Sequence, residues 1–168
     1  MGAAPLLSFA DFEQLPDTPG KQELMDGELF VSLPAKHSRT VLLKKIRRLL
    51  EIALGEPSVW VETGYHIGNG WLQPDVSVSW PDQKIVDDYF VDAPRVAIEV
   101  VSRSNTAEEI DRKVQIFLEN GAEEVWTVYP KRRSMTVYCR NRETTFVDRE
   151  YRSERLGVAV ELPDLLRE

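Results

Sequence analysis

The 168-residue chain reads as an α/β protein, and three consecutive stretches predict it. Val96-Ala97-Ile98-Glu99-Val100-Val101 is an apolar, β-branched run of the kind that forms a strand covered on both faces. The stretch from Ser102 offers helix caps, Asn105 with Glu108 or Thr106 with Glu109, and repeats apolar residues at helical spacing to about Asn120. Gly121 follows, a residue suited to the position just past a helix. Val125-Trp126-Thr127-Val128-Tyr129 is a second strand. Strand, helix and strand form a βαβ unit, whose strands should be parallel and whose crossover right-handed.

The remaining elements follow in order. Ser8 to Glu13 reads as a short capped helix closed before Pro16. Gln22–Met25 and Glu28–Val31 flank Asp26-Gly27, a strong hairpin signal. A helix from about Lys36 to Leu54 carries the stripe Leu42, Ile46, Leu49, Leu50 and Ala53 and stops at Gly55. Val59–Val61 and Tyr65–Ile67 read as strands, with a loop at Gly68-Asn69-Gly70. Trp71 to Trp80 reads as one strand with Pro74 near its start. Pro81 to Pro94, polar and acidic, reads as a loop with one helical turn. After the βαβ unit, Met135–Cys139 and Thr144–Val147 read as a hairpin joined near Asn141. The tail, with Leu156, Val158, Val160, Leu162, Leu165 and Leu166, supplies a late strand and a terminal turn.

Length and an ordinary balance of 42% hydrophobic and 29% charged residues suit a single domain over residues 1–168, with 1–7 a flexible N-terminus. No apolar run approaches the roughly 20 residues needed to span a membrane. The first residues lack a basic n-region and a long apolar core, so no signal peptide is expected. Cys139 is the sole cysteine, which excludes an intrachain disulfide and points to the cytoplasm. The net charge of −7 argues against non-specific nucleic-acid binding by the whole surface. Yet Lys36, Arg39, Lys44, Lys45, Arg47 and Arg48 crowd one helix without an acid among them. That helix is either a solvated face or a phosphate-facing surface.

Two residues stand out against the pattern. Glu99 lies inside an apolar strand, where a carboxylate is costly unless paired or bound. Lys113, at about 100° per residue, falls between Phe117 and Ile116 inside the apolar arc of the following helix. Its stem could pass its neighbours to solvent, it could pair with Glu109, or it could meet Glu99 at one end of the sheet. Asp75 opens a strand directly after proline. Asp75 and Glu99, with the backbone carbonyl of Val100, could hold a hard cation such as Mg²⁺, which takes carboxylate oxygens and keeps waters. Lys113 could then orient a water or stabilise charge on a phosphate. Equally, Asp75 could be a turn residue and Glu99 a buried salt-bridge partner of Lys113.

At these residues the chain resembles a known family. Glu23-Leu-Met-Asp-Gly-Glu28, a basic helix led by His37, and Pro74-Asp75-Val76-Ser77-Val78 are similar to motifs of the Uma-two family, described as "putative restriction endonucleases". So are Ile98-Glu99-Val100-Val101-Ser102 with Ser104, then Lys113, Phe117, Gly121 and the strand at Glu124-Val125-Trp126. The family belongs to the PD-(D/E)xK nuclease-like superfamily, and the resemblance covers about residues 9 to 165. It implies a restriction-endonuclease-like fold, a mixed central β-sheet flanked by helices. It also implies that Asp75 and Glu99 are the metal-binding acids. Val101 stands where the superfamily lysine is usual, and Lys113 matches its relocated equivalent. Glu23 and His37 fall on accessory positions. Arg103 and Glu109 depart from the common proline and aspartate. The resemblance thus implies a Mg²⁺-dependent endonuclease, with Mn²⁺ as a substitute, acting on nucleic acid, DNA foremost. Arg39, Lys44, Lys45, Arg47 and Arg48 would hold the backbone. Such folds often act as homodimers. The alternatives are an inactive nucleic-acid binder or a structural or regulatory interaction protein with the same fold.

Overall fold

A computed structural model describes residues 4–167 of the chain. It opens with α1 (Phe9–Glu13), capped reciprocally by Ser8 and Asp11. Of the segment 1–7, residues 1–3 lie outside the described residues, and Leu7 donates its N–H to the Gly27 carbonyl. The hairpin β1 (Lys21–Met25) and β2 (Glu28–Ser32) turns at Asp26-Gly27, both with positive φ as a tight hairpin turn requires. Next come α2 (His37–Leu54), β3 (Val59–Val61), β4 (Tyr65–Ile67), β5 (Gly70–Leu72), β6 (Val76–Val78), β7 (Ile85–Val86) and β8 (Tyr89–Val91). The βαβ unit is β9 (Val96–Val100), α3 (Ala107–Glu119) and β10 (Glu124–Tyr129). The chain continues through β11 (Ser134–Cys139), β12 (Thr144–Val147), β13 (Glu150–Ser153), β14 (Val158–Glu161) and α4 (Leu162–Leu165).

The strands form two mixed sheets of six, ordered β2-β1-β5-β4-β8-β7 and β12-β11-β10-β9-β6-β3, and a β13–β14 pair. The one parallel pair of the second sheet is β9–β10, the pairing expected of strands joined by a helical crossover through α3. Alternation along β9 splits the core. Val96, Ile98 and Val100 join α2, β14 and α4 on one face, and Ala97 joins α3, β4 and β5 on the other. The expected fold class, α/β with a mixed β-sheet flanked by helices, is the one observed, with the strands divided between two mixed sheets in place of one central sheet.

Three expectations need correction. Trp71 to Trp80 is not one strand: β5 and β6 belong to different sheets, and Gln73-Pro74-Asp75 is the break between them. Pro74 brings no N–H to a ladder, so the chain bends there and changes sheet. The 81–94 stretch holds no helical turn but the hairpin β7–β8. Its tight turn is made by Asp87 and Asp88, with φ of 52° and 68°, a conformation aspartate tolerates. In α2, Leu43 is buried and Ala53 exposed, so the core-facing stripe is Leu42, Leu43, Ile46 and Leu50. Among the described residues no helix is long and apolar enough to cross a membrane.

One close approach sets β1 against β5, and β1 carries two charged residues into the interior. A methyl group on Gly70 would stand 2.5 Å from the Leu24 carbonyl oxygen, which is backbone and cannot rotate away. Gly70→Ala is expected to lower stability in urea unfolding by about 1–3 kcal/mol, the usual cost of overpacking. Wild-type stability in this variant would show that the β1–β5 spacing is free to adjust.

Candidate functional site

The register of β6 against β9 explains why two acids meet. Val76 faces Ile98 and Ser77 faces Ala97 across this antiparallel pair. Directly opposed residues share a face, so continuing the register one residue past β6 sets Asp75 opposite Glu99. The face is the one toward α3 and β4, where Tyr65 and Ser77 share a hydroxyl hydrogen bond of 2.9 Å. The Val100 N–H donates to Asp75 Oδ2 at 2.6 Å and fixes that carboxylate. α3 packs Ile110, Val114 and Phe117 inward and buries Lys113 with them. β1 adds Lys21 and Glu23, two residues apart and therefore on one side of the strand.

The result is a cluster of alternating charge. Lys113 Nζ lies 2.6 Å from Glu23 Oε2 and 3.4 Å from Glu99 Oε2. Lys21 Nζ lies 2.9 Å from Asp75 Oδ1 and donates also to the Gln73 carbonyl at 2.8 Å. The Arg39 guanidinium donates to the same Asp75 oxygen and stands 3.8 Å from Glu62. The Gln73 N–H donates to Glu23 Oε1 at 2.9 Å. Asp75 is 0% exposed, Glu23 1%, and Glu99 and Lys113 4% each. Charges so buried persist only when paired. Among the described residues, two buried side-chain atoms lack a hydrogen-bond partner, Glu99 Oε1 and Arg39 Nε.

The surroundings drive the two central acids apart. Burial pushes Asp75 up, but Lys21 and Arg39 outweigh it, helped by hydrogen bonds from Lys21 and the Val100 N–H, and hold its carboxyl below the usual range. Burial pushes Glu99 up to about 7, and Lys113 does not offset it. Lys113 would lose its charge more readily on burial alone, yet Glu99 and Glu23 hold it protonated, above the ordinary lysine value.

Asp75, Glu99 and Lys113 are thus brought together, and Glu23 joins them. Lys113 pairs with Glu23 and Glu99, not Glu109, whose carboxylate accepts from the Thr106 N–H in the α3 capping box. His37 is the first residue of α2 and is exposed; the cap position is Lys36, with no side-chain cap bond. Of the basic helix residues, only Arg39 reaches the cluster. Lys45 donates to the Arg167 carbonyl, Arg47 pairs with Glu51, and Lys44 and Arg48 are exposed. Lys21 and Glu62 are members that sequence reasoning missed. The signal for Lys21 was its place two residues before Glu23 on a strand, where alternation turns both side chains the same way.

The donor set fits a hard divalent cation. Among the described residues no group of three or more His, Cys, Asp and Glu is arranged to hold a metal. A Mg²⁺-type ion that keeps its waters needs only one or two carboxylates. Asp75 and Glu99 supply two, and the buried Glu99 Oε1 is an acceptor without a donor.

The comparisons bear on this arrangement. The profile of the Uma2 family, described as "Putative restriction endonuclease", matches residues 9–167. The crystal structure of a "putative nuclease belonging to DUF820" from Anabaena variabilis superposes with a TM-score of 0.86 at 17% identity, covering 95% of this chain and 97% of that one. At such identity the likeness is one of fold. No curated protein matches the chain.

The raised Glu99 carboxyl has a consequence for stability. Between its ordinary value of 4.5 and about 7, the folded chain keeps a proton that the unfolded chain has released. The unfolded state then binds fewer protons, so stability falls as pH rises through that window. Asp75 acts oppositely: its contribution is present above its ordinary value of 3.8 and is lost as pH falls below it. Metal-free urea unfolding should show stability declining from about pH 5 to about pH 7, by at most about 1.4 kcal/mol per pH unit. Glu99→Gln should flatten the decline. A wild-type curve that is flat or rising there would contradict the burial of an ionisable Glu99.

Proposed function

From the membership of this chain in the Uma2 family, shown by the match over residues 9–167, we propose that it is a Mg²⁺-dependent endonuclease that hydrolyses phosphodiester bonds of DNA. One observation carries the reading: the acids and the lysine of the family motifs converge on one buried cluster in which Glu99 Oε1 has no partner. Asp75, Glu99 and the Val100 backbone carbonyl hold the cation. When bound, it supplies Lewis-acid polarisation of the phosphate and a water of lowered pKa. The chain's own groups do the rest. Lys113, kept charged by two carboxylates, stabilises negative charge developing on the phosphoryl oxygens. Glu23 fixes the direction of that ammonium through the 2.6 Å contact. Arg39, whose side chain is 20% exposed at the edge of the cluster, meets a backbone phosphate, because a guanidinium fork matches phosphate geometry. Lys44, Lys45, Arg47 and Arg48 add long-range attraction for the strand along the exposed side of α2. His37, exposed at the start of that helix, lies beside the path of such a strand.

The reading includes a cytoplasmic location, which a lone cysteine supports because thiols stay reduced there. Cutting two strands calls for two sites, which a homodimer supplies.

The experiment is nicking of supercoiled plasmid by the full chain. Mg²⁺ or Mn²⁺ should support nicking and a chelator should stop it. Glu99→Gln, which keeps the shape and removes the charge, should slow nicking by about two orders of magnitude or more. Cleavage that survives the chelator, or equal rates for Glu99→Gln and wild type, would overturn the reading.

A further inference from the structure

The interior of the cluster sets three carboxylates, Glu23, Asp75 and Glu99, against three cations, Lys21, Arg39 and Lys113, with Glu62 at its exposed rim, but the bonds are unevenly shared. Asp75 is the more heavily engaged: Oδ1 takes both Lys21 and Arg39, and Oδ2 takes the Val100 N–H. Glu99 is half free, because Lys113 occupies Oε2 and nothing occupies Oε1. A cation entering between the two acids therefore gains Glu99 Oε1 without breaking a bond. At Asp75 Oδ1 it has to replace a cation already there.

The two resident cations differ in how firmly they are held. Arg39 has Glu62 as a second anion and a rigid planar head on a helix. The other contact of Lys21 is the neutral Gln73 carbonyl. Its ammonium sits on a flexible four-carbon stem. Lys21 also has somewhere to go. It lines a cavity of about 260 Å³ that Glu13 and Asp17 also line. Two acidic residues beside that space make it a favourable destination for a displaced ammonium.

We propose that Lys21 is an exchangeable internal counter-ion: it neutralises Asp75 in the metal-free protein and withdraws into the Glu13–Asp17 cavity when a divalent cation binds at Asp75 and Glu99. The proposal rests on the metal-binding reading above. It makes Lys21 a positioning residue that keeps the cluster neutral without metal and sets the affinity of the site by competition. The metal binds only as tightly as its advantage over an ammonium permits.

Mn²⁺ is titrated into the full chain, and free Mn²⁺ is followed by its electron paramagnetic resonance signal, for wild type, Lys21→Met and Glu99→Gln. Lys21→Met should bind Mn²⁺ at least about tenfold more tightly than wild type, since an adjacent cation shifts the affinity of a carboxylate for a proton by one to three orders of magnitude. Glu99→Gln should lose binding. Equal or weaker binding by Lys21→Met overturns the role of Lys21 and leaves the metal site standing. No binding by wild type or Lys21→Met overturns the metal reading and this inference with it. A second measurement uses wild type alone and so does not depend on the variant folding. Lysine acetylation mapped by mass spectrometry should rise at Lys21 on addition of Mn²⁺ and stay low at Lys113. Unchanged or reduced labelling of Lys21 overturns the withdrawal.

Discussion

A carboxylate with no exposed surface stays ionised only if cations come to it, and Asp75 is such a group. Much of the fold around the site answers to that constraint. β1 brings Lys21, the first turn of α2 brings Arg39, and β9 turns the Val100 N–H onto the second carboxylate oxygen. Because these partners come from elements far apart in the chain, the cluster also ties the two sheets together. Glu23 and Lys113 repeat the arrangement across the interface between β1 and α3. The same interactions that let the acids be buried set their chemistry, with Asp75 held low and Glu99 held high. Acids pushed apart in this way are a recurrent mark of functional sites.

Much of this was legible in the sequence, because the strongest signals were violations of a simple pattern. Glu99 interrupts an apolar strand and Lys113 interrupts an apolar helical arc, and burial of both is what their neighbours dictated. The βαβ unit was readable from its cap, its glycine stop and its two β-branched runs. What could not be read were pairings set by tertiary geometry. Pro74 marks a break between β5 and β6, but not that the two strands enter different sheets. Nothing local says that Lys113 lies closer to Glu23, ninety positions earlier, than to Glu99. The β7–β8 hairpin was hidden because Asp87-Asp88 stands where Asn-Gly would have announced a turn.

The basic helix shows how composition misleads about location. Its charges are continuous in sequence but divided in space. Leu42, Leu43, Ile46 and Leu50 anchor one side, so the basic residues fan around the rest of the helix. Arg39 turns inward at the N-terminal end, Arg47 is engaged by Glu51, and Lys45 is engaged by the Arg167 carbonyl. One residue of the run therefore belongs to the cluster, while the others shape the field outside it. The cation that mattered most at Asp75 beside Arg39 was Lys21, from a stretch that composition did not mark.

The central claim is that Asp75 and Glu99 form one cation site held ready by the surrounding lysines and arginine. The most direct measurement is a crystal structure of the chain grown with Mn²⁺ and recorded at the manganese absorption edge. The account predicts one anomalous peak at about 2.0–2.6 Å from Glu99 Oε1 and from an Asp75 oxygen, with Lys113 still against Glu23. A fully ordered cluster without an anomalous peak at saturating Mn²⁺, or a peak bound elsewhere, would contradict it.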